Sequence, residues 1–333
     1  MKYNVVLLIT LFLVFSIAVV TLRYLIPYLM SKKIGQKILE IGPRWHKNKE
    51  GTPTMGGISF IIAVSVAFLI FSVVMIGKIE AKSYLLALNI IVFATLNGLI
   101  GAIDDMAKMK KSQNKGLSAK GKFALQSLVA ILFLVSLHFS IGINTVLFIP
   151  YVNYSVDIGF FYYVIAYLII CGIVNSVNLT DGIDGLASGT VFTVGVFFAV
   201  INIFQYNSST ISFFSGALLG ASLGFLVYNF HPARVFMGDT GSLYLGALVV
   251  SMSFLIDNIL LVLVYGFVFV CEAISDILQV FYFKITNGKR IFKMAPLHHH
   301  FEKNGWSEIK ILIVFMMVNA AFCFFAYLGL NLL

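Results

Sequence analysis

"VVLLITLFLVFSIAVVTLRYLIPYLM", residues 5–30, decides the fold class. At about 1.5 Å of rise per residue, a helix of this length spans the ~30 Å hydrocarbon layer of a bilayer with residues to spare. The run is too long for the apolar segment of a secretory signal and has no small-residue cleavage site, so it reads as a retained span. Its charged residue, Arg23, has a long apolar stem and can carry its head to the interface. Apolar runs of about 18–25 residues recur along the rest of the chain. Ten candidate helices result, at about 4–30, 55–77, 83–103, 122–140, 160–178, 185–205, 211–228, 241–256, 258–285 and 308–331.

Composition agrees. Of 333 residues, 60% are hydrophobic and 11% charged, where soluble domains carry roughly 25% charged residues. The chain therefore reads as an all-α polytopic membrane protein, a single integral domain over 1–333 with no soluble module, linker or repeat. Cys171, Cys271 and Cys323 are odd in number and scattered in apolar runs, which excludes a disulfide framework or a thiolate metal site. The net charge of +9 points to anionic lipid and anionic substrates rather than nucleic acid.

Charge orients the bundle. Lys32, Lys33, Lys37, Arg44, Lys47 and Lys49 lie in one connection. Lys108, Lys110, Lys111, Lys115, Lys120 and Lys122 lie in a second, and Lys284, Lys289, Arg290, Lys293, Lys303 and Lys310 in a third. With ten spans all three fall on one face, and the opposite face keeps only Lys2, Lys78 and Lys82. The positive-inside rule makes the basic face cytoplasmic and puts both termini outside. Segment 141–159 has no Lys or Arg, and its β-branched and aromatic residues around Pro150 predict a short external β-hairpin.

The few acids fall on the basic face. "GAIDD" ends the third span with Asp104 and Asp105, "NLTDGIDG" follows the fifth with Asp181 and Asp184, and Asp239 opens the eighth. Each alone could be a helix cap or a solvated charge, and Asp239 could simply be the N-cap of its helix. Three segments delivering carboxylates to one membrane surface suggest an ion or substrate site, and hard oxygen ligands without cysteine suggest Mg²⁺. Asn175, Asn178, Asp181 and Asp184 recur every third residue, so each neighbours the next on a helix and all four would share one face in a tight 3₁₀ stretch; Gly182 and Gly185 let backbone approach a ligand. The bland alternative is a polar seam between helices. "KEGTPTMGG", 49–57, can present backbone N–H groups and Thr54 to an anion at a helix start, or be turn punctuation. Glu272, Asp276 and Gln279 form a polar stripe within the ninth span.

"APLHHHFEKNGW", 295–306, holds His298, His299 and His300 on the same face as the acids. Adjacent helical residues point about 100° apart, so three in a row cannot easily grip one zinc ion. Donation to phosphate oxygens fits better, with capping of loop carbonyls as the alternative.

Taken in order, "GTPTMGG", "GAIDD", "NLTDGIDGLASG", "NFHPARVFMGDTGS" and "PLHHHFEKNGW" resemble the phospho-N-acetylmuramoyl-pentapeptide transferase family over essentially the whole chain. The last motif sets it apart from the related UDP-GlcNAc polyprenyl-phosphate GlcNAc-1-phosphate transferases. The resemblance implies ten spans, catalysis on the cytoplasmic face of the bacterial inner membrane, Mg²⁺ and a homodimer. It also implies transfer of phospho-MurNAc-pentapeptide from UDP-MurNAc-pentapeptide to undecaprenyl phosphate, giving lipid I and UMP. The expected catalytic set is Asp104, Asp105, Asp239, His298, His299 and His300. Asp239 is expected to be the main metal ligand, with Asp104 and Asp105 beside it, and family similarity suggests Asp104 as the base, with a two-step route through a carboxylate nucleophile as the alternative. The resemblance assigns uridine to Lys49, Thr54, Asn178, Asp181, Gly182, Asp184, Asn229 and Phe236; Lys108, Lys120 and Lys122 would hold phosphates. A proton-coupled transporter would instead show repeats and a site near the midplane. A zinc intramembrane protease would want a motif such as HExxH. Neither feature is in the sequence.

Overall fold

A computed structural model describes residues 2–32, 49–110 and 116–331. Lys33, Lys37, Arg44, Lys47, Lys111 and Lys115 of the charge count lie outside the described residues, as does the side chain of Lys110. The helices are α1 Tyr3–Ser31, α2 Ile58–Met75, α3 Ala81–Lys110, α4 Ala119–Ile141, α5 Phe160–Thr180 and α6 Leu186–Ile201. They continue with α7 Ser209–Asn229, α8 Gly238–Ser251, α9 Val262–Tyr265, α10 Phe267–Ile285, α11 Leu297–Glu302 and α12 Glu308–Asn331. Among the described residues nine helices are long and apolar enough to cross a membrane. The bent pair Ile259–Tyr265 and Phe267–Ile285 makes a tenth if counted as one span.

The expected hairpin is present. Strands β1 Val146–Ile149 and β2 Tyr154–Asp157 pair antiparallel, from Val146 opposite Asp157 to Ile149 opposite Tyr154. The Tyr151 hydroxyl donates to the Phe325 carbonyl at 2.9 Å, tying the hairpin to the far end of α12.

α1 lies along α7 on glycines spaced by four. A β-carbon on Gly216, Gly220 or Gly224 would fall 2.6 Å from Leu7 O, 2.5 Å from Leu11 O or 3.0 Å from the Ala18 β-carbon. In lipid, helices associate through such close backbone approach rather than through a hydrophobic drive. The order of these contacts makes α1 and α7 parallel, so the start of α1 lies at the end of the bundle opposite Asn229.

Two departures from the expected spans matter. α3 continues past residue 103 to Lys110, so Asp104 and Asp105 stand on a helix rather than a loop. The Asp104–Lys108 ion pair, four residues apart at 2.9 Å, supports the added turn. The expected span 258–285 is instead bent by 84° where α9 meets α10 at Gly266. A β-carbon there would meet the Val262 carbonyl at 2.7 Å. The freed backbone groups are satisfied by Asn319 of α12. Its Oδ1 accepts the Val268 N–H at 3.2 Å, and its Nδ2 donates to the Tyr265 carbonyl at 3.0 Å and to Thr193 Oγ1 at 2.8 Å. Non-helical backbone within a membrane protein needs such internal partners.

Candidate active site

The eighth span starts on the third. A β-carbon on Gly101 would lie 2.1 Å from the Asp239 carbonyl, so α8 begins in direct contact with α3. Asp105, 3% exposed, fills the role of an N-cap from a different helix. It accepts the Asp239 N–H at 3.1 Å, the Thr240 N–H at 3.0 Å and the Thr240 hydroxyl at 2.7 Å. First-turn N–H groups need acceptors, and a carboxylate there also meets the positive end of the helix dipole.

Asp239 is therefore not the cap of its own helix. It sits in the first turn of α8 with its carboxylate facing the site. Oδ2 accepts from Lys108 Nζ at 2.6 Å and Lys122 Nζ at 2.8 Å, and Oδ1 accepts from Asn178 Nδ2 at 2.7 Å. Asn178 reaches over from the last turn of α5 and also donates to Ser242 Oγ at 2.7 Å. Asp104, 3% exposed, accepts the Leu117 N–H at 2.6 Å. Its other oxygen is 2.9 Å from Lys108 and 3.7 Å from Lys122. Asp104 and Asp239 share Lys108, whose Nζ lies 2.9 Å from one carboxylate and 2.6 Å from the other. Two carboxyls and two ammonium groups thus share one small space at one end of the bundle.

A second cluster lies on the turn between α5 and α6. Lys49 Nζ donates to Asp184 Oδ1 at 2.7 Å and to Glu308 Oε2 at 2.6 Å. Asp184 Oδ2 accepts the Ala233 N–H at 3.0 Å and lies 2.8 Å from His231 Nδ1, while the Asp184 N–H donates to Glu308 at 2.9 Å. Thr54 precedes α2, and its segment pairs with residues 235–237. Phe236 N–H donates to Pro53 O at 2.8 Å, Gly56 N–H to Phe236 O at 2.9 Å and Gly57 N–H to Met237 O at 3.0 Å. The ring of Phe236 is half-buried. Asn229, 2% exposed, is spent on scaffolding: it accepts the Gly185 N–H at 3.0 Å and donates to Val235 O at 2.8 Å. Asp181 is half-buried. Burial raises its carboxyl well above the usual range, and the charges of Asp239, Asp105 and Asp184 add to the rise against an opposing pull from Lys49. Lys120 is exposed in the first turn of α4, apart from this ion-pair network.

The three histidines occupy the six-residue helix α11 and diverge. His298 turns inward, with Nδ1 3.0 Å from Glu272 Oε2. His299 Nδ1 lies 2.6 Å from Glu302, and His300 Nδ1 accepts the Lys293 N–H at 3.1 Å. His300 thus serves the loop rather than the site, though it accepts a backbone N–H where the alternative weighed for the run was capping of carbonyls. Gln279 does similar work for the preceding loop, accepting the Ile291 and Phe292 N–H groups and donating to Phe292 O.

Of the residues singled out from sequence, Asp104, Asp105, Lys108, Lys122, Asn178 and Asp239 form one cluster, and Lys49 and Asp184 the other. Glu308 and His231 were not singled out. His231 lies inside a quoted motif, but Glu308 looks like any acid opening an apolar helix. Among the described residues, Asp184, His231 and Glu308 are a group whose ligand atoms lie close enough to hold a metal, within 4.8 Å of one another.

The family description "Glycosyl transferase family 4" matches residues 87–257, and signature 1 of the phospho-N-acetylmuramoyl-pentapeptide-transferases matches residues 49–61. The chain is 46% identical over 318 residues to a phospho-N-acetylmuramoyl-pentapeptide-transferase of Caldanaerobacter subterraneus subsp. tengcongensis, covering 95% of this chain and 96% of that one. It is 44% identical over 301 residues to a protein of the same name from Listeria innocua, covering 90% and 91%. A third such protein, from Halalkalibacterium halodurans, is 42% identical over 322 residues, 96% of each chain.

Proposed function

The chain belongs to the phospho-N-acetylmuramoyl-pentapeptide-transferase family, and from that membership we propose how its residues divide the work. The enzyme transfers phospho-MurNAc-pentapeptide from UDP-MurNAc-pentapeptide to undecaprenyl phosphate, giving lipid I and UMP for peptidoglycan synthesis. A phosphate oxygen of the lipid attacks the β-phosphorus of the nucleotide sugar, the bond to the bridging oxygen breaks, and UMP leaves. Both reactants are anions, so their repulsion dominates the barrier.

The observation that carries the assignment is the meeting of Asp104, Asp239, Lys108, Lys122 and Asn178 where α3, α4, α5 and α8 come together. Asp104 and Asp239 offer hard oxygen donors that fit Mg²⁺. Asp105 positions rather than ligates, because both its oxygens are engaged by the first turn of α8. The Asp184–His231–Glu308 group fits Mg²⁺ less well because one of its three ligands is an imidazole, whereas Mg²⁺ prefers hard oxygen donors. Bound Mg²⁺ would neutralise charge on the pyrophosphate and on departing UMP. Lys108 and Lys122 hold phosphate oxygens. Asp104 takes the proton of the lipid phosphate, and the Leu117 N–H fixes its carboxylate for that task. Asp181, Gly182, Asp184, Lys49, Thr54 and Phe236 make the nucleotide pocket, with the Phe236 ring against uracil. The cytoplasmic setting of the site, in the bacterial inner membrane, and a homodimeric assembly belong to the same reading.

Purified protein supplied with UDP-MurNAc-pentapeptide, a polyprenyl phosphate and Mg²⁺ is expected to release UMP. Asp239→Asn keeps the shape and removes the charge, so turnover should fall by about 10³-fold or more with Tm nearly unchanged. Asp104→Asn should fall comparably. Near-normal Mg²⁺-dependent turnover in Asp239→Asn would overturn the assignment.

A further inference from the structure

Glu272 is 0% exposed, in the second turn of α10 just past the bend, and nothing above uses it in the reaction. A carboxylate so placed is costly unless it is paired. Both its oxygens go to one residue. Oε1 accepts the backbone N–H of His298 at 3.2 Å, and Oε2 lies 3.0 Å from the same residue's Nδ1. An ionised carboxylate only accepts, so Nδ1 carries a proton and donates it, and the ring is held at two points.

The other ring nitrogen is what gives this pair a purpose. His298 is 1% exposed, and its Nε2 is buried without a hydrogen-bond partner. It lies 2.1 Å from where a β-carbon on Gly182 would be. The imidazole therefore fills the space left by the missing side chain in the Asp181–Asp184 turn, with its free nitrogen against that turn. Buried polar atoms are paired in the great majority of cases, so an orphan beside a candidate site calls for an explanation, and a ligand atom supplies one.

We propose that Glu272 is a positioning residue for the transfer: it fixes the His298 ring so that Nε2 meets a phosphoryl oxygen of the donor substrate held on the Asp181–Asp184 turn. The proposal rests on the function argued above. The contact of Nδ1 with Glu272 leaves Nε2 as the free end of the ring, and in the doubly protonated form of the ring Glu272 balances the charge. Nε2–H then donates to the phosphoryl oxygen, and the pair adds no net charge to the protein interior. The ring is oriented before the substrate arrives, and preorganised donors of this kind stabilise developing charge most effectively. Through the His298 ring, Glu272 also links the bent α10 to the Asp181–Asp184 turn.

The test is a double-mutant cycle on the purified enzyme, reading kcat, donor KM and Tm. Glu272→Ala and His298→Ala should each lower kcat about 10²-fold, with a smaller change in donor KM. Glu272→Gln, whose amide oxygen still accepts from Nδ1, should fall between Glu272→Ala and the parent. The double variant Glu272→Ala/His298→Ala should be no slower than His298→Ala alone, since a residue acting through the ring has nothing to act on without it. Gly182→Ala should mimic His298→Ala while Glu272 is intact. If Glu272→Ala does not fold, Glu272→Gln carries the cycle. Losses that multiply in the double variant, or a Glu272→Ala kcat close to the parent's, would overturn the positioning role while leaving the proposed function standing. A parent enzyme that releases no UMP would instead remove the function on which it rests.

Discussion

Asp105 spends its carboxylate on the first turn of α8, while Asp104, one residue earlier, faces Lys108 and the Leu117 N–H. Their spacing makes both visible in the sequence, but helical phase alone does not say which meets the neighbouring helix and which the site. The same limit hid Glu308, which joins the site only because α12 begins beside Asp184. Asp181 gives a test at this scale. Its folded-state pKa is raised by burial first and by neighbouring carboxylates second, whereas the unfolded value is about 3.9. Above that value the folded state binds the proton more tightly than the unfolded state, so the group costs stability as pH rises toward its folded pKa. Asp181→Asn removes the cost. The Tm of the variant should exceed that of the ligand-free parent by a margin that grows as pH is raised from about 4. A margin that shrinks with rising pH would contradict the electrostatics described for this turn.

Nine of the spanning helices were legible as apolar runs, because a bilayer imposes length and apolarity on each segment separately. The bend at Gly266 was not, since apolarity does not report direction and glycine is frequent in membrane helices. Its partner Asn319 lies 53 residues further on, within another apolar run. A lone polar residue there gives no hint that it serves a break elsewhere. Asn319→Leu keeps the volume but strips the Val268 N–H and the Tyr265 carbonyl of their amide partner. Each backbone group so exposed costs about 1–3 kcal/mol. The carbonyl should stay at the low end, because Cys323 Sγ lies 3.5 Å away as a weak donor. The variant is expected to lose several degrees of Tm in detergent, and turnover with it, since α10 carries Glu272. A variant with parental Tm and activity would mean that the bend does not depend on this amide.

Over the whole molecule, the segments that carry lysines, carboxylates and histidines converge at one end of the bundle, joined by Lys49–Asp184, Lys49–Glu308, Lys108–Asp239 and Lys122–Asp239 ion pairs. The hairpin lies at the other end. The chain ends go with the hairpin: α12 starts in the site at Glu308 and finishes beside Tyr151, and α1 runs parallel to α7, which finishes in the site at Asn229. That two-ended arrangement was legible from charge alone, because loops sort by lysine and arginine content during insertion. The same rule predicts that the site end faces the cytoplasm, and labelling of intact cells tests it. Ala119→Cys at the exposed start of α4 reports the site end, and Ser155→Cys on the exposed strand β2 reports the hairpin end. The native Cys171 and Cys323 are buried and Cys271 is half-buried, so a background without them keeps the signal clean. A membrane-impermeant maleimide added outside should modify Ser155→Cys and leave Ala119→Cys untouched until the cells are opened. Labelling of Ala119→Cys in sealed cells would invert the bundle and put the carboxylates on the wrong side for a nucleotide made in the cytoplasm.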